Sequence, residues 1–173
     1  MNNYSWLQQK LHQLALSSQL MREVMFDVES STISLNQTND NHVFVSGLAR
    51  SGTTILLNAI YESNEFSSLS YKDMPFILAV NLWSKLSSNK KDIDFVERAH
   101  GDGIKVSSES PEAFEEVFWM TFDESDKDTK EKFKNYVQLI NQKYQKRRYL
   151  SKNNQNIRRL ELISKIFPDS KIL

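Results

Sequence analysis

The chain has 173 residues, and its 22 Lys+Arg balance 22 Asp+Glu to a formal charge of zero, which speaks against bulk nucleic-acid binding and against attraction to a membrane surface. Cysteine is absent and the three histidines, His12, His42 and His100, are scattered, so disulfides, thiolate catalysis and a zinc site are excluded and no metal is expected. No apolar run approaches the roughly 20 residues that span a bilayer, and the N-terminus lacks a signal-peptide layout. The expectation is a cytoplasmic, soluble protein without membrane insertion, forming one domain or part of a larger one.

In chain order, Trp6, Leu7, Leu11, Leu14, Met21, Val24, Met25 and Val28 recur at helical spacing and predict an amphipathic helix from Ser5 to about Val28. Such a stripe is core, or else a docking or homo-oligomer surface. Residues 30–41 are rich in Ser, Thr and Asn and read as a linker, so residues 1–41 are expected to precede a domain over 42–173. A strand is expected at His42–Ser46, a helix from Thr53 to about Ser63, and a short strand at Phe66–Tyr71. Pro75 predicts the start of a helix carrying Phe76, Ile77, Val80, Leu82, Trp83 and Leu86. Ser110-Pro111-Glu112 predicts another helix start, with Glu112, Glu115 and Glu116 complementing the dipole.

The charged stretch Asp123–Lys132 reads as a solvated surface leading into a helix with Phe133, Tyr136, Val137, Ile140 and Tyr144 on one face. A strand at Arg148–Ser151, a polar loop at Lys152-Asn153-Asn154 and a helix over Asn156–Phe167 follow, with Ile157, Leu160, Ile163 and Ile166 facing inward. Lys171–Leu173 reads as a last strand in which the chain stops. Strands alternating with helices imply an α/β fold with a mostly parallel sheet.

The most informative stretch is His42–Thr54. An apolar β-branched run ends at Gly47, a short polar loop follows, and Thr53-Thr54 open an apolar helical pattern. Strand, tight loop and helix N-terminus make an anion cradle, because loop amides and the helix dipole point to one spot. The spacing is Gly-x4-Gly-x-Thr, but Thr53 stands where a nucleotide triphosphatase or kinase carries lysine, and the cation is Arg50. The chain has only four glycines, and two of them are Gly47 and Gly52; the others are Gly101 and Gly103. A strand-to-helix turn that binds nothing is the plainer alternative.

Gly47-Leu48-Ala49-Arg50-Ser51-Gly52-Thr53-Thr54 resembles the 5′-phosphosulfate loop of sulfotransferases that use 3′-phosphoadenylyl sulfate (PAPS). It is similar to the Arg-Ser-Gly-Thr-Thr branch, which includes tyrosylprotein sulfotransferases and many bacterial enzymes. The stretch from Arg98 to Gly103 followed by Ser110–Trp119 resembles a bacterial-type subgroup. Lys152-Asn153-Asn154, Arg159-Leu160 and Ile166–Leu173 resemble the approach to the family's 3′-phosphate-binding strand.

The resemblance implies a three-layer, P-loop-like parallel sheet flanked by helices, with residues 42–173 forming its N-terminal part, apparently truncated before the arginine and serine that hold the 3′-phosphate. It also implies sulfuryl transfer from PAPS, leaving adenosine 3′,5′-bisphosphate, to a hydroxyl or amine on a small-molecule, carbohydrate or peptide acceptor. Arg50, Ser51, Gly52, Thr53, Thr54 and Lys152 are then the expected cofactor-binding residues, and Arg50 the group that stabilises charge on the bridging oxygen. Two groups compete for the acceptor base: Asp73, near the place of a catalytic glutamate in the Arg-Ser-Gly-Thr-Thr enzymes, and His100, similar in context to the histidine of the aryl and steroid enzymes. An atypical P-loop kinase or nucleotide-binding protein, and a non-catalytic binding fragment, are the alternatives.

Overall fold

The computed structural model describes residues 18–33, 41–48, 50–87, 96–97, 105–106 and 110–173. Helix α1 spans Gln19–Ser30, strand β1 Val43–Val45, helix α2 Thr53–Tyr61 and strand β2 Phe66–Ser67. Helix α3 follows at Val80–Ser87, then a two-stranded antiparallel pair, β3 at Val96–Glu97 and β4 at Lys105–Val106. Helix α4 covers Glu116–Thr121, α5 Thr129–Tyr144, strand β5 Arg148–Lys152, helix α6 Leu160–Ile166 and strand β6 Lys171–Ile172.

The main sheet runs β2-β5-β1-β6 and every pairing in it is parallel. Val45 pairs in register with Lys152, and Phe44 with both Ser151 and Ile172. The period of two along each strand separates two cores. Val43, Val45, Phe66 and Leu150 meet Leu57 of α2 on one face. Phe44 and Tyr149 face the larger cluster on the other, with Phe26, Phe118, Phe133, Tyr136, Ile163 and Phe167. Burial on both faces explains why β1 is apolar at every position rather than alternating. The α/β expectation with a parallel sheet between helices is met. Among the described residues no helix is long and apolar enough to cross a membrane.

Several boundaries differ from the sequence expectation, each for a tertiary reason. The first helix, whose residues before Ser18 lie outside the described part, points Phe26 into the core while Val24 and Val28 are half-exposed or more. The core-facing stripe is thus centred on Phe26, not on Val24 and Val28. Phe26 makes edge contacts with Phe118 at 5.9 Å and Phe122 at 5.0 Å.

The helix expected from Pro75 begins only at Val80. Its start is set by the buried Glu29 carboxylate of α1, which accepts from Asn81 N at 2.6 Å, Asn81 Nδ2 at 2.8 Å and Leu82 N at 3.1 Å. The amides of a first helical turn need outside acceptors, and here a distant glutamate supplies them. Likewise, Ser110 does not cap a helix. Pro111 bridges to Ser70, Glu112 N donates to Leu69 O at 3.0 Å, and α4 opens five residues later than Pro111.

Strand β2 ends at Ser67, shorter than the expected Phe66–Tyr71, and a 3-10 turn follows at Tyr71–Asp73. After β5 the chain makes a second 3-10 turn at Asn154–Arg158 before α6. Ile157 and Leu160 are consequently 52% and 39% exposed, where helical periodicity placed them inward; Ile163 and Ile166 are buried as expected. The expected helix over Asn156–Phe167 breaks at Arg159, so a single period cannot run through it.

His42 precedes β1 and is fully buried. Its Nδ1 accepts from Tyr149 N at 3.0 Å, which places the ring hydrogen on Nε2. Among the described residues that nitrogen has no hydrogen-bond partner, and the ring stands edge-on to Phe167, centroids 4.6 Å apart. Burial first, and the neighbouring Arg148 second, lower the His42 pKa from 6.5 to about 4.

Candidate functional site

Strand β1 delivers the chain to the carboxyl edge of the sheet, where open parallel sheets bind ligands. Ser46 N still pairs with Leu173 O at 2.8 Å, and the backbone then turns away through Gly47. A Cβ at Gly47 would lie 2.9 Å from Ser51 Oγ and 3.0 Å from Thr53 Cγ2. The loop therefore closes back on its own first residue, and a side chain at Gly47 would have to displace the Ser51 hydroxyl and the Thr53 methyl. Ser51 N donates to Leu48 O at 3.2 Å and tightens the turn.

Two residues of the loop take left-handed backbone, Arg50 at φ 66° and Gly52 at φ 85°. For Arg50 this conformation is disfavoured, and residues held that way concentrate at functional sites. Gly52 is the N-cap of α2 and contributes no side chain to it. Its carbonyl accepts the first helical bond, from Leu56 N at 3.0 Å. The helix N-terminus thus opens on the loop with no side-chain cap from its own N-cap residue, and among the described residues nothing stands within 4 Å of where a Gly52 Cβ would point. Arg50 is exposed and ion-pairs with no carboxylate among the described residues. Arg50, Ser51, Gly52, Thr53 and Thr54 therefore run as one continuous segment from the loop, through its cation, into the start of α2.

Lys152 is the last residue of β5 and the register partner of Val45, one strand from the root of the loop. Alternation along β5 places it on the face of Leu150, the face against which α2 packs.

Asp73 belongs to a different neighbourhood. It ends the 3-10 turn after β2, at the edge of the sheet separated from β1 by β5. Its carboxylate is fully buried. Oδ2 accepts from Ser70 N at 2.7 Å, from Tyr144 Oη at 2.7 Å and from Ser70 Oγ at 3.3 Å, while Oδ1 pairs with the Lys143 ammonium. Burial and the adjacent Asp73 charge push the Tyr144 hydroxyl well above its ordinary pKa, so it stays a proton donor to the carboxylate. His100 lies outside the described residues, as do Gly101 and Gly103.

Sequence reasoning did not anticipate a third buried carboxylate, Glu115, beside those of Glu29 and Asp73. Trp119 Nε1 at 3.0 Å, Asn156 Nδ2 at 2.9 Å and Tyr149 Oη at 3.1 Å all donate to it. The sequence signal was the acidic pair Glu115-Glu116 before an apolar run, which also fits a plain helix start.

The family model described as the sulfotransferase family matches residues 42–173, and the chain belongs to that family. A solved structure, sulfotransferase STF1 from Mycobacterium tuberculosis H37Rv, shares the fold with a TM-score of 0.52 at 14% sequence identity. The match covers 97% of this chain and 54% of that one, so this chain spans about half the length of its structural relative. No curated protein matches.

Proposed function

We propose that this member of the sulfotransferase family transfers a sulfuryl group from PAPS to a hydroxyl or amine acceptor, in the cytoplasm, and leaves adenosine 3′,5′-bisphosphate. The observation that carries the reading is the loop: a left-handed Gly52 exposes the start of α2, and the cation beside it is Arg50 rather than a lysine after the second glycine. The tight closure over Gly47 and the open side at Gly52 fit an oxyanion group held by backbone.

In this reading the amides from Ser51 to Thr54 hold the 5′-phosphate, with the Thr53 and Thr54 hydroxyls as further donors. When bound, PAPS supplies an activated sulfuryl group whose departure puts negative charge on the bridging oxygen. Arg50 donates to that oxygen, and a guanidinium that is always charged needs no proton transfer to do so. Lys152 adds a second positive charge from the neighbouring strand. The chain thereby positions the group and stabilises developing charge, which is most of what such a transfer asks of a protein.

Asp73 and His100 are the two proposed acceptor bases. For Asp73 the role requires Lys143 and Tyr144 to release its carboxylate first, since every described donor around it is engaged. The acceptor is a small molecule, carbohydrate or peptide.

Arg50→Ala tests the reading. It should raise the barrier by about 3 kcal/mol, on the order of a hundredfold in the turnover of PAPS with a panel of hydroxyl and amine acceptors. Undiminished turnover in the variant contradicts the assignment.

A further inference from the structure

The acidic pair at the head of α4 is not spent on the helix dipole. Glu115 is sealed in the core, and Glu116 reaches the chain that follows β5. Arg159 grips Glu116 with both terminal nitrogens, Nη1 to Oε2 at 2.8 Å and Nη2 to Oε1 at 3.0 Å, while its Nε pairs with Glu124. The guanidinium lies 5.0 Å from the Trp119 ring and is nearly buried. Burial works to raise the Glu116 pKa, but the hydrogen bonds from Arg159 and Asn153 outweigh it and hold the carboxyl below its ordinary value. A planar two-pronged contact of this kind fixes orientation as well as distance.

What it orients is Asn153. The Asn153 Nδ2 donates to Glu116 Oε2 at 2.6 Å, its Oδ1 accepts from Gln155 N at 3.0 Å, and its backbone N donates to Val45 O at 3.0 Å. One residue therefore joins α4, the turn at Asn154–Arg158 and the last residue of β1 before the anion loop. Residues 152 and 153 point to opposite faces of the sheet. With Asn153 clamped on the α4 face, Lys152 is committed to the α2 face, where the loop lies.

We propose that Glu116, Asn153 and Arg159 are positioning residues that fix Lys152 beside the anion loop; the proposal rests on the sulfotransferase reading above. Glu116 is about a third exposed, and ion pairs with that much solvent add little to stability. The contribution of the network then lies in geometry, and it acts through Lys152.

The test is calorimetric titration of this chain with adenosine 3′,5′-bisphosphate in a double-mutant cycle. Wild type, Lys152→Ala, Glu116→Gln, Arg159→Lys and the two doubles with Lys152→Ala are compared, each with its melting temperature. Glu116→Gln and Arg159→Lys should each weaken binding about tenfold when Lys152 is present, as loss of an outer-shell contact does elsewhere. In the Lys152→Ala background the same substitutions should change affinity less than about twofold, because the residue they act through is gone. Equal losses in both backgrounds, or none in either, overturn the proposal while leaving wild-type binding as evidence for the sulfotransferase reading. Absence of binding by wild type overturns that reading and, with it, this inference. Glu116→Gln keeps the side-chain shape, so the cycle stands even where Arg159→Lys fails to fold.

Discussion

The Arg50 loop and the surroundings of Asp73 use charge in opposite ways. In the loop, Arg50 stands exposed with no described carboxylate beside it, on backbone held left-handed at Arg50 and Gly52. Asp73, by contrast, is fully buried and held by Lys143, Tyr144 and Ser70. An exposed charge with no described ion-pair partner, on a strained loop, is poised to meet an anion, whereas a sealed carboxylate must first be released from its partners before it can act. The two also differ in how they are built. The loop closes within a few consecutive residues, while the surroundings of Asp73 join residues about seventy positions apart.

That contrast can be broken most sharply at Asp73. Asp73→Asn leaves the Lys143 ammonium, 9% exposed, without its counter-charge, and should cost about 4 kcal/mol of folding stability. Urea denaturation would read it directly. A variant that keeps wild-type stability would show that Asp73 is not held by the fold in this way and would erase the difference between the two regions.

A smaller effect concerns His42, which lies below the loop at the start of β1. Its folded pKa of about 4 is beneath the unfolded value of 6.5, so the unfolded chain binds the extra proton first as pH falls. The contribution is fully present above pH 6.5 and is lost progressively down to about 4, amounting to about 3 kcal/mol. His42→Leu should flatten the stability-versus-pH curve between pH 6.5 and 5, before most carboxylates titrate. An unchanged slope in that variant would locate the titrating group elsewhere.

The smallest effect separates the two loop glycines. Gly52→Ala meets no atom of the described residues and costs only its positive φ, about 1 kcal/mol. Gly47→Ala forces its Cβ toward Ser51 and Thr53 and should distort the cradle itself. Anion affinity should therefore fall more for Gly47→Ala than for Gly52→Ala, and the reverse order would show that the left-handed turn, not the close approach, shapes the site.

What could be read from the sequence follows the same division. The strand at 43–45, the loop and the helix from Thr53 are legible because glycine placement and a change of hydrophobic period are local signals. The parallel sheet followed from the alternation of elements. The starts of α3 and α4 were not legible from Pro75 and Ser110, since Glu29 caps α3 from more than fifty residues away and Pro111 is tied to Ser70. Ile157 and Leu160 match a helical period on paper, but the 3-10 turn at Asn154–Arg158 carries both outward. Arg50 through Thr54 could be singled out as a candidate site from their spacing. The partners of Asp73 and the Arg159–Glu116–Asn153 clamp could not, because each side chain alone fits an ordinary solvated charge or helix end.

In the proposed function the loop with Arg50 holds the phosphate of a phosphosulfate cofactor rather than a nucleoside triphosphate. Thermal-shift titration of this chain with adenosine 3′,5′-bisphosphate, set against ATP with Mg²⁺, tests it most directly. The melting temperature should rise with the bisphosphate, an effect that Arg50→Ala abolishes, and should not rise with ATP and Mg²⁺. Stabilisation by ATP with Mg²⁺, or by neither ligand, would contradict it.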